Sequence, residues 1–239
     1  MKPPPFEYHA PETVEEALAL LAEYGDEAKV LAGGQSLVPL LNFRLVRPAR
    51  LIDLNRIAEL DYIGEGRIGA LARMRRVERE ASIPLLRRAA SFVGHPQIRN
   101  RGTACGSVAH ADPAAELPCA LLALDARVRL RSTRGERELS LDEFLLGTFA
   151  TALEADELLV EIVVPEPPPG ARFAFVEHAR VHGDFALAGV AAVVQPERTV
   201  LAVLGIAERA MRFEDVAGVS GHKKALLEAL VERALAEAA

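Results

Sequence analysis

Two short glycine-centred segments hold the residues best suited to chemistry in this sequence. They are Ala32-Gly33-Gly34-Gln35-Ser36 and Thr103-Ala104-Cys105-Gly106-Ser107, and each combines flexible backbone with hydroxyl or amide side chains. Glycine lets backbone N–H groups approach an anion closely, and that anion is most often a phosphate or a diphosphate. About seventy residues separate the two segments. A ligand that touches both is held between two parts of the fold, which favours a dinucleotide.

The local sequence of the first segment leaves a plainer alternative open, because Gly-Gly is also common in an ordinary strand-to-helix turn. No lysine follows the glycines as a P-loop requires, and the Gly-x-Gly-x-x-Gly dinucleotide fingerprint is absent. If the segment binds an anion, the donors are the backbones of Gly33, Gly34 and Gln35 and the side chains of Gln35 and Ser36. The N-terminus of a following helix favours negative charge at the same place.

The composition limits the class of protein. The chain has 239 residues, half of them hydrophobic, which is enough for two or three subdomains with a substantial core. A net charge of −6 argues against a nucleic-acid partner. We find no apolar run typical of a signal peptide or a membrane span, so we expect a cytoplasmic protein. Two cysteines, Cys105 and Cys119, are too few for a disulfide framework, a four-cysteine zinc site or an iron–sulfur cluster.

Hydrophobic spacing predicts a small βαβ-like unit around the first segment. A capping box at 13–16 begins a helix that Gly25 ends. Residues 28–31 form a short apolar strand that leads directly into the glycines. A helix is expected at 37–44 and another strand at 51–53.

The middle of the chain is predicted to mix short strands with helices. Strands are expected at 60–63, 67–71, 127–130, 138–140 and 158–164. Helices are expected at 73–90, with an interruption at Pro84, and at 115–124. The polar stretch 92–107, which leads into the second segment, is predicted to be irregular.

A proline-rich run at 165–170 is the clearest linker in the sequence. Beyond it, strands are expected at 172–179, 186–194 and 199–204, and a closing helix at 223–238 carries an apolar stripe.

Three pieces of the sequence, taken together, resemble a known family. They are the first glycine segment, the string IRNRGTACGSVAHADPAAELP that begins at Ile98, and His182-Gly183-Asp184-Phe185-Ala186-Leu187. In order and spacing they are similar to the FAD-binding middle subunit of the molybdenum hydroxylases, which include carbon monoxide dehydrogenase and xanthine dehydrogenase. The likeness covers most of the chain.

The resemblance implies an α+β fold. Its first part is a two-part FAD-binding domain of the PCMH type, similar to vanillyl-alcohol oxidase, at 1–165 with subdomains at about 1–55 and 56–165. A small α+β C-terminal domain follows at 171–239, and it is shorter than usual between Gly205 and Lys223.

The resemblance also implies the site. Both glycine loops hold the FAD diphosphate, Glu116 binds the adenosine ribose, and Asp112 lies near the flavin end or the ribityl chain. Leu37 and Phe92 pack on the cofactor, and Asp184 and Phe185 lie near the isoalloxazine ring. The full implied set is Ala32, Gly33, Gly34, Gln35, Ser36, Leu37, Phe92, Thr103, Cys105, Gly106, Ser107, Asp112, Glu116, Asp184 and Phe185. No catalytic residue and no metal ligand is expected.

The sequence departs from the family pattern at two positions of the site. Cys105 stands where many relatives have glycine, and we interpret it as a buried, inert thiol. Glu177 stands where some relatives carry lysine, which puts a cationic contact to the flavin in doubt. Two other features have ordinary explanations: the histidines lack metal-binding spacing, and the basic cluster at 73–76 is most simply a solvated helix face.

For function, the resemblance implies an electron-transfer subunit. A molybdenum-cofactor large subunit and a [2Fe–2S] small subunit are the expected partners, with an external electron acceptor. Two alternatives stay open at this point: a self-contained flavin oxidoreductase of the same fold, and an assembly module that has lost FAD.

Overall fold

The computed structural model describes residues 2–239 of the chain. The first part is a parallel three-stranded sheet with two helices. Its elements are β1 (Glu7–His9), α1 (Val14–Tyr24), β2 (Ala28–Leu31), α2 (Leu37–Asn42) and β3 (Arg50–Asp53). The strand order is β1-β3-β2. The predicted βαβ unit is therefore confirmed, with the first glycine loop between β2 and α2.

The N-terminal cap of α1 is formed as its sequence predicts, with one difference. Thr13 accepts a hydrogen bond from the backbone N–H of Glu16 at 3.2 Å. The Glu16 carboxylate, however, accepts from the N–H of Glu12 at 2.9 Å. Gly25 ends the helix with a φ of 47°, a conformation that glycine adopts easily.

The second part begins with two short strands and five helices. They are β4 (Ile63–Gly64), β5 (Arg67–Gly69), α3 (Met74–Glu80), α4 (Pro84–Phe92), α5 (Pro96–Arg101), α6 (Ala104–His110) and α7 (Glu116–Ala123). It continues with β6 (Arg127–Ser132), β7 (Gly135–Ser140), α8 (Leu141–Phe144), β8 (Leu145–Gly147), β9 (Ala150–Thr151) and β10 (Leu158–Val163). Five of these strands form one sheet in the order β4-β5-β10-β6-β7.

Two predictions for this part were wrong. The stretch 92–107 is not irregular, because it contains α5 and most of α6. Pro96 occupies the first turn of α5, and each helix is too short to show a helical repeat in the sequence. The strand expected at 60–63 is also wrong, since a 3₁₀ turn at Ala58–Leu60 precedes the two-residue strand β4.

The third part is an antiparallel sheet backed by one long helix. Its elements are β11 (Arg172–His178), β12 (Ala188–Val194), β13 (Thr199–Leu204), β14 (Met211–Arg212) and α9 (Gly221–Glu237). Side chains alternate along each strand, so the two faces of this sheet meet different partners. Phe175 on one face joins the main core, whereas Val176 on the other packs with Leu227 and Leu230 of α9.

Helix α7 connects this sheet to the second part. All eight of its residues are buried, and its contacts include α4 and α6 on one side and β12 and β13 on the other. The N–H of Gly205 also donates to the carbonyl oxygen of Pro113 at 2.9 Å. The mixture of parallel and antiparallel sheets with short helices confirms the predicted α+β class. Among residues 2–239, no helix has both the length and the apolar character needed to cross a membrane.

Candidate cofactor-binding site

The first glycine loop presents a row of backbone donors. The structure gives no protein acceptor to the N–H groups of Gly33, Gly34, Gln35 and Ser36 among the residues that it describes. Gly34 has a φ of 74°, which turns the chain, and its carbonyl oxygen accepts from Val38 at 3.0 Å to begin α2. Unpaired backbone N–H groups in sequence form a concave anion site. The loop therefore presents unpaired donors of the kind that bind an anion.

The two glycine loops are packed against each other at Gly33. A Cβ atom placed on Gly33 would lie 2.4 Å from the carbonyl oxygen of Arg101 and 2.7 Å from the Cα of Gly102. Only glycine fits such an approach without displacing backbone. The structure therefore brings the first loop and the start of the second into one site, although about seventy residues separate them.

Arg73 links the two loop regions through hydrogen bonds. One of its nitrogens donates to the carbonyl oxygen of Arg101 at 2.6 Å, and another donates to Oδ1 of Asn55 at 2.5 Å. Asn55 in turn donates to the carbonyl oxygen of Ala32 at 2.9 Å. The interpretation of the cluster at 73–76 as a solvated face was therefore wrong for Arg73, since its guanidinium bonds to Arg101 beside the second loop and, through Asn55, to Ala32 of the first.

Most backbone N–H groups of the second loop donate to acceptors within the protein. Thr103 caps α6 by accepting from the N–H of Gly106 at 3.2 Å, and the N–H of Ser107 donates to the Thr103 carbonyl at 3.1 Å. Ala104 donates to the carbonyl of Ala72 at 3.0 Å. The N–H of Cys105 is left without an acceptor in the described part of the chain. We therefore expect Cys105 and the first loop to supply the main backbone donors.

The side chain of Cys105 points away from the loop surface. Its residue is 3% exposed, and its Sγ lies 3.6 Å from the carbonyl oxygen of Ile68 in β5. Burial raises the pKa of the thiol strongly. These observations confirm the interpretation of Cys105 as an inert thiol, and its side chain does not obstruct the loop.

A buried carboxylate lies where the second part meets the third. Glu116 is the first residue of α7 and is 8% exposed. Its pKa is raised to about 8, mainly by burial and to a smaller extent by the charges of Glu177 and Asp112, while a hydrogen bond from its own backbone N–H acts in the opposite direction. Asp112 accepts from the N–H of Ala114 at 2.8 Å, which fixes the turn before the helix. A buried carboxyl without a cationic partner is typical of a ligand-binding position.

The loop between β11 and β12 carries Asp184 and Phe185. A Cβ on Gly183 would lie 2.4 Å from the ring of His95, which precedes α5, and Gly183 has a φ of 84°. Phe185 is 69% exposed. Asp184 accepts from the N–H of Phe185 at 2.9 Å. This loop therefore sits at the N-terminal end of α5, about 9 Å of helix from the glycine loops at its C-terminal end.

The two apolar residues implied at the site differ in their surroundings. Leu37 is the first residue of α2 and is partly buried directly after the glycine loop. Phe92 packs against Phe175 of β11 with ring centroids 5.4 Å apart and the rings tilted by 51°, and the guanidinium of Arg88 lies 4.7 Å from its ring centre. Phe92 thus joins α4 to the C-terminal sheet.

Arg73, Asn55 and the ring of His95 are contributors that the sequence did not reveal. The position of Asn55 could have been recognised in the sequence. Asn55 follows β3 and the first glycine loop follows β2, and the carboxyl ends of neighbouring parallel strands lie at the same edge of a sheet. The Arg73 contacts could not be found in this way, since one of them is to a backbone carbonyl 28 residues later.

The donors and acceptors at this site suit FAD. A closely packed pair of glycine loops with unpaired N–H groups matches a diphosphate, and a buried carboxyl without a partner outside its own residue matches a pair of hydroxyl groups. The fold and the site together define a nucleotide-cofactor-binding protein. Its two glycine loops lie where the first and second parts of the fold meet.

Comparison with known families identifies the class further. The family model described as the FAD binding domain in molybdopterin dehydrogenase matches residues 4–167. The chain belongs to this family, so FAD is its cofactor and it is an oxidoreductase subunit of the molybdenum hydroxylase family.

Named relatives agree with this assignment. The 6-hydroxypseudooxynicotine dehydrogenase complex subunit alpha of Paenarthrobacter nicotinovorans is 46% identical over 233 residues, covering 92% of this chain and 79% of the relative. The carbon monoxide dehydrogenase medium chain of Hydrogenophaga pseudoflava is 39% identical over 252 residues, covering 100% of this chain and 86% of the relative.

Solved structures agree as well. Carbon monoxide dehydrogenase from Hydrogenophaga pseudoflava, in a form that lacks the Mo-pyranopterin moiety, superposes with a TM-score of 0.93 at 35% identity. Quinoline 2-oxidoreductase from Pseudomonas putida 86 superposes with a TM-score of 0.89 at 32% identity. Each comparison covers 100% of this chain and 98% of the other. These matches confirm the predicted family and fold.

Proposed function

We propose that this chain is the FAD-holding electron-transfer subunit of a molybdenum-containing hydroxylase. In this role it accepts electrons from [2Fe–2S] clusters of a partner subunit and delivers them to an external acceptor. The observation that carries the proposal is the packing of Gly33 on Arg101, which brings the two loops into contact, as a single dinucleotide site requires. The names of the relatives, which include a complex subunit and two medium chains, support the expected partners.

The residues of this chain have binding and positioning roles in the proposal. The N–H groups of the first loop and of Cys105 hold the diphosphate, and Arg73 keeps the two loops in register. Glu116 accepts hydrogen bonds from the adenosine ribose, and Asp112 lies toward the ribityl chain. When bound, FAD supplies the oxidation–reduction chemistry. The residue set implied by the resemblance, including Leu37, Phe92, Asp184 and Phe185, remains our proposal for the site.

An apolar surface beside the first loop supports the docking of a partner. Phe43 and Leu45 follow α2 and are 67% and 71% exposed, and Val38 on the same helix is also exposed. Arg44, between Phe43 and Leu45, and Arg47 are also exposed. We propose that the [2Fe–2S] subunit covers this surface, because electrons must enter close to the cofactor. The cytoplasmic location favoured by the composition remains a prediction.

The proposal is tested in two steps. The purified chain is first titrated with FAD while the visible absorption spectrum is recorded, and we expect a bound flavin spectrum. The complex with its partner subunits is then mixed with substrate of the molybdenum subunit, and bleaching of the flavin absorbance is followed.

Two variants complete the design. Gly33→Asp should abolish both signals, whereas Gly64→Asp, at a glycine with open space around it, should keep them. Flavin that binds but is never reduced in the complete complex would contradict the electron-transfer role. Turnover of a small organic substrate by the isolated chain would instead favour a self-contained flavoenzyme, and a chain that binds no FAD would favour an assembly module.

A further inference from the structure

Asp53 ends the middle strand of the first sheet, beside the strand that leads into the first glycine loop. Strand β3 lies between β1 and β2, and Asp53 is level with Leu31, the last residue of β2. Ala32, the first residue of the loop, follows Leu31 directly. Because the carboxyl ends of parallel strands lie at the same edge of a sheet, Asp53 stands next to the loop although it belongs to neither glycine motif.

Both oxygens of the Asp53 carboxylate are occupied. Oδ2 accepts from the hydroxyl of Tyr8 on β1 at 2.5 Å. Oδ1 accepts from the backbone N–H of Asn55 at 2.9 Å and from its side-chain amide at 2.5 Å. Burial acts to raise the pKa of Asp53, but the hydrogen bonds from Tyr8 and Asn55 outweigh it, and the pKa is lowered. Asp53 is therefore ionised at neutral pH, with its carboxylate held in one orientation.

The Asn55 amide connects this carboxylate to the loop. Its nitrogen also donates to the carbonyl oxygen of Ala32 at 2.9 Å, and its oxygen accepts from Arg73 at 2.5 Å. The amide nitrogen thus has one acceptor for each of its two hydrogens. A reversed amide would turn its oxygen toward the oxygens of Asp53 and Ala32. Asn55 is exposed, so a single hydrogen bond would compete with water, and several partners are needed to fix its orientation.

The held carbonyl of Ala32 determines where the next backbone donor points. A peptide group is planar, so fixing the carbonyl oxygen of Ala32 also fixes the direction of the Gly33 N–H. That N–H is the first of the row without a protein acceptor in the described residues. Asp53 itself is unsuited to touch the ligand, because a carboxylate repels a diphosphate. Its contribution must pass through a neutral group, and Asn55 is such a group.

We propose that Asp53 is a positioning residue for the FAD diphosphate. It orients the amide of Asn55, and Asn55 holds the peptide group between Ala32 and Gly33 so that the Gly33 N–H is aimed at the ligand. Tyr8 fixes the carboxylate from the side of β1. This inference rests on the placement of FAD proposed above.

The test separates the position of the Asp53 oxygens from their charge. Asp53→Asn keeps an oxygen that can accept from Asn55, and its NH₂ group can donate to the Tyr8 hydroxyl. Asp53→Glu keeps the charge but moves the oxygens by one methylene group, and Asp53→Ala removes them without adding bulk. Asn55→Ala removes the link to the loop. Asp61→Glu is the matched control, the same change at an exposed acid that accepts from Arg76.

Three quantities are measured on the full chain. They are the FAD affinity from a visible absorbance titration, the ³¹P NMR signals of the bound FAD diphosphate, and the melting temperature without FAD. We expect Asp53→Glu, Asp53→Ala and Asn55→Ala each to bind FAD about tenfold more weakly and to shift the ³¹P signals. Asp53→Asn and Asp61→Glu should match the wild type in both.

A double variant tests whether Asp53 acts through Asn55. Asp53→Ala combined with Asn55→Ala should bind FAD about tenfold more weakly than the wild type, as each single variant does, because both changes interrupt one chain of contacts. A loss of about a hundredfold would overturn the inference, since the two residues would then act independently.

Two other results would also overturn it. Unchanged FAD affinity and ³¹P signals with a lowered melting temperature would leave Asp53 only as the cap of the 3₁₀ turn at Leu54–Arg56. Asp53→Asn that binds as weakly as Asp53→Ala would show that the charge matters and the oxygen position does not. Both results leave the proposed function standing, since the wild-type chain still binds FAD. A wild-type chain that binds no FAD would overturn the proposed function itself.

Discussion

The backbone of Gly33 lies directly against the carbonyl oxygen of Arg101, with 2.4 Å between that oxygen and the place where a Cβ would stand. This contact holds the loop after β2 on the chain that leads into α6. Since a phosphate-binding loop works only when its N–H groups are held in position, the contact serves binding as well as packing.

Replacement of Gly33 by alanine tests this contact. We expect Gly33→Ala to destabilise the fold by about 2–3 kcal/mol, because a methyl group so close to backbone must displace one of the loops. FAD affinity should fall as well, since the donors move. Chemical unfolding and an FAD titration measure the two effects. Gly64→Ala is the control, because nothing lies within 4 Å of its added Cβ. Equal behaviour of the two variants would refute the role given to the contact.

Arg73 provides a second test, one that does not touch the loops themselves. Arg73→Gln removes the hydrogen bond to Arg101 or that to Asn55, because an amide cannot reach both acceptors as a guanidinium does. We expect FAD to bind about tenfold more weakly. Arg76→Gln in the same helix removes only exposed ion pairs with Asp61 and Glu80 and should bind FAD normally. The idea fails if both variants bind with wild-type affinity.

The raised pKa values of Glu116 and Glu177 predict how the FAD-free protein responds to pH. Both folded-state values, about 8 and about 7, lie above the ordinary value of 4.5. The folded state therefore binds protons more tightly than the unfolded state, and its stability falls as pH rises. We expect Glu116 alone to lower the free energy of unfolding by about 3 kcal/mol between about pH 5.5 and about pH 8.5, and Glu177, which is half exposed and screened by solvent, to add a smaller drop.

Denaturant unfolding at the two pH values measures this drop. Glu116→Gln should remove much of it, because the amide does not titrate. His110, whose pKa is lowered by burial, acts in the opposite direction near its ordinary value and reduces the drop. If the free energy of unfolding of the wild-type chain stays level or rises between these two pH values, the two glutamates are not unpaired acids in the folded state.

The apolar surface after α2 predicts a separation between cofactor binding and assembly. Phe43→Glu and Leu45→Glu should each weaken association with the [2Fe–2S] subunit by about tenfold or more, since a charge is placed where apolar contact is expected. FAD affinity should stay unchanged. Leu235→Glu on α9 is the control, at an exposed leucine outside this surface. Association is measured by calorimetry with the partner subunit, and normal association of both variants would show that the partner binds elsewhere.

Much of the fold could be predicted from the sequence because its elements are governed by local signals. Strand 28–31, the glycine loop and the helix after it follow from a short apolar run and two helix breakers, and β11, β12 and β13 follow from long apolar runs. Helices α5 and α6 could not be predicted in the same way, since six or seven residues show too little periodicity.

The glycine loops of the site could be predicted from the sequence, but the tertiary contacts that hold them in place could not. Gly33 and Thr103 were identified from their own motifs, whereas the approach of Gly33 to Arg101 is a tertiary contact. The same holds for Glu177, which was noticed only as a departure from lysine. The burial of its Oε2 depends on how the C-terminal sheet packs on the main core.

Helix α7 has a consequence for the modularity of the family. All of its residues are buried, and residues of β12 and β13 cover one side of it. A chain ending at residue 167, where the family model stops, would leave that side bare to water. We expect such a fragment to be prone to aggregation, because it exposes an apolar helix face that the C-terminal sheet covers in the whole chain. We expect the part of the chain up to residue 167 and the C-terminal sheet to fold, and to be inherited, as one unit.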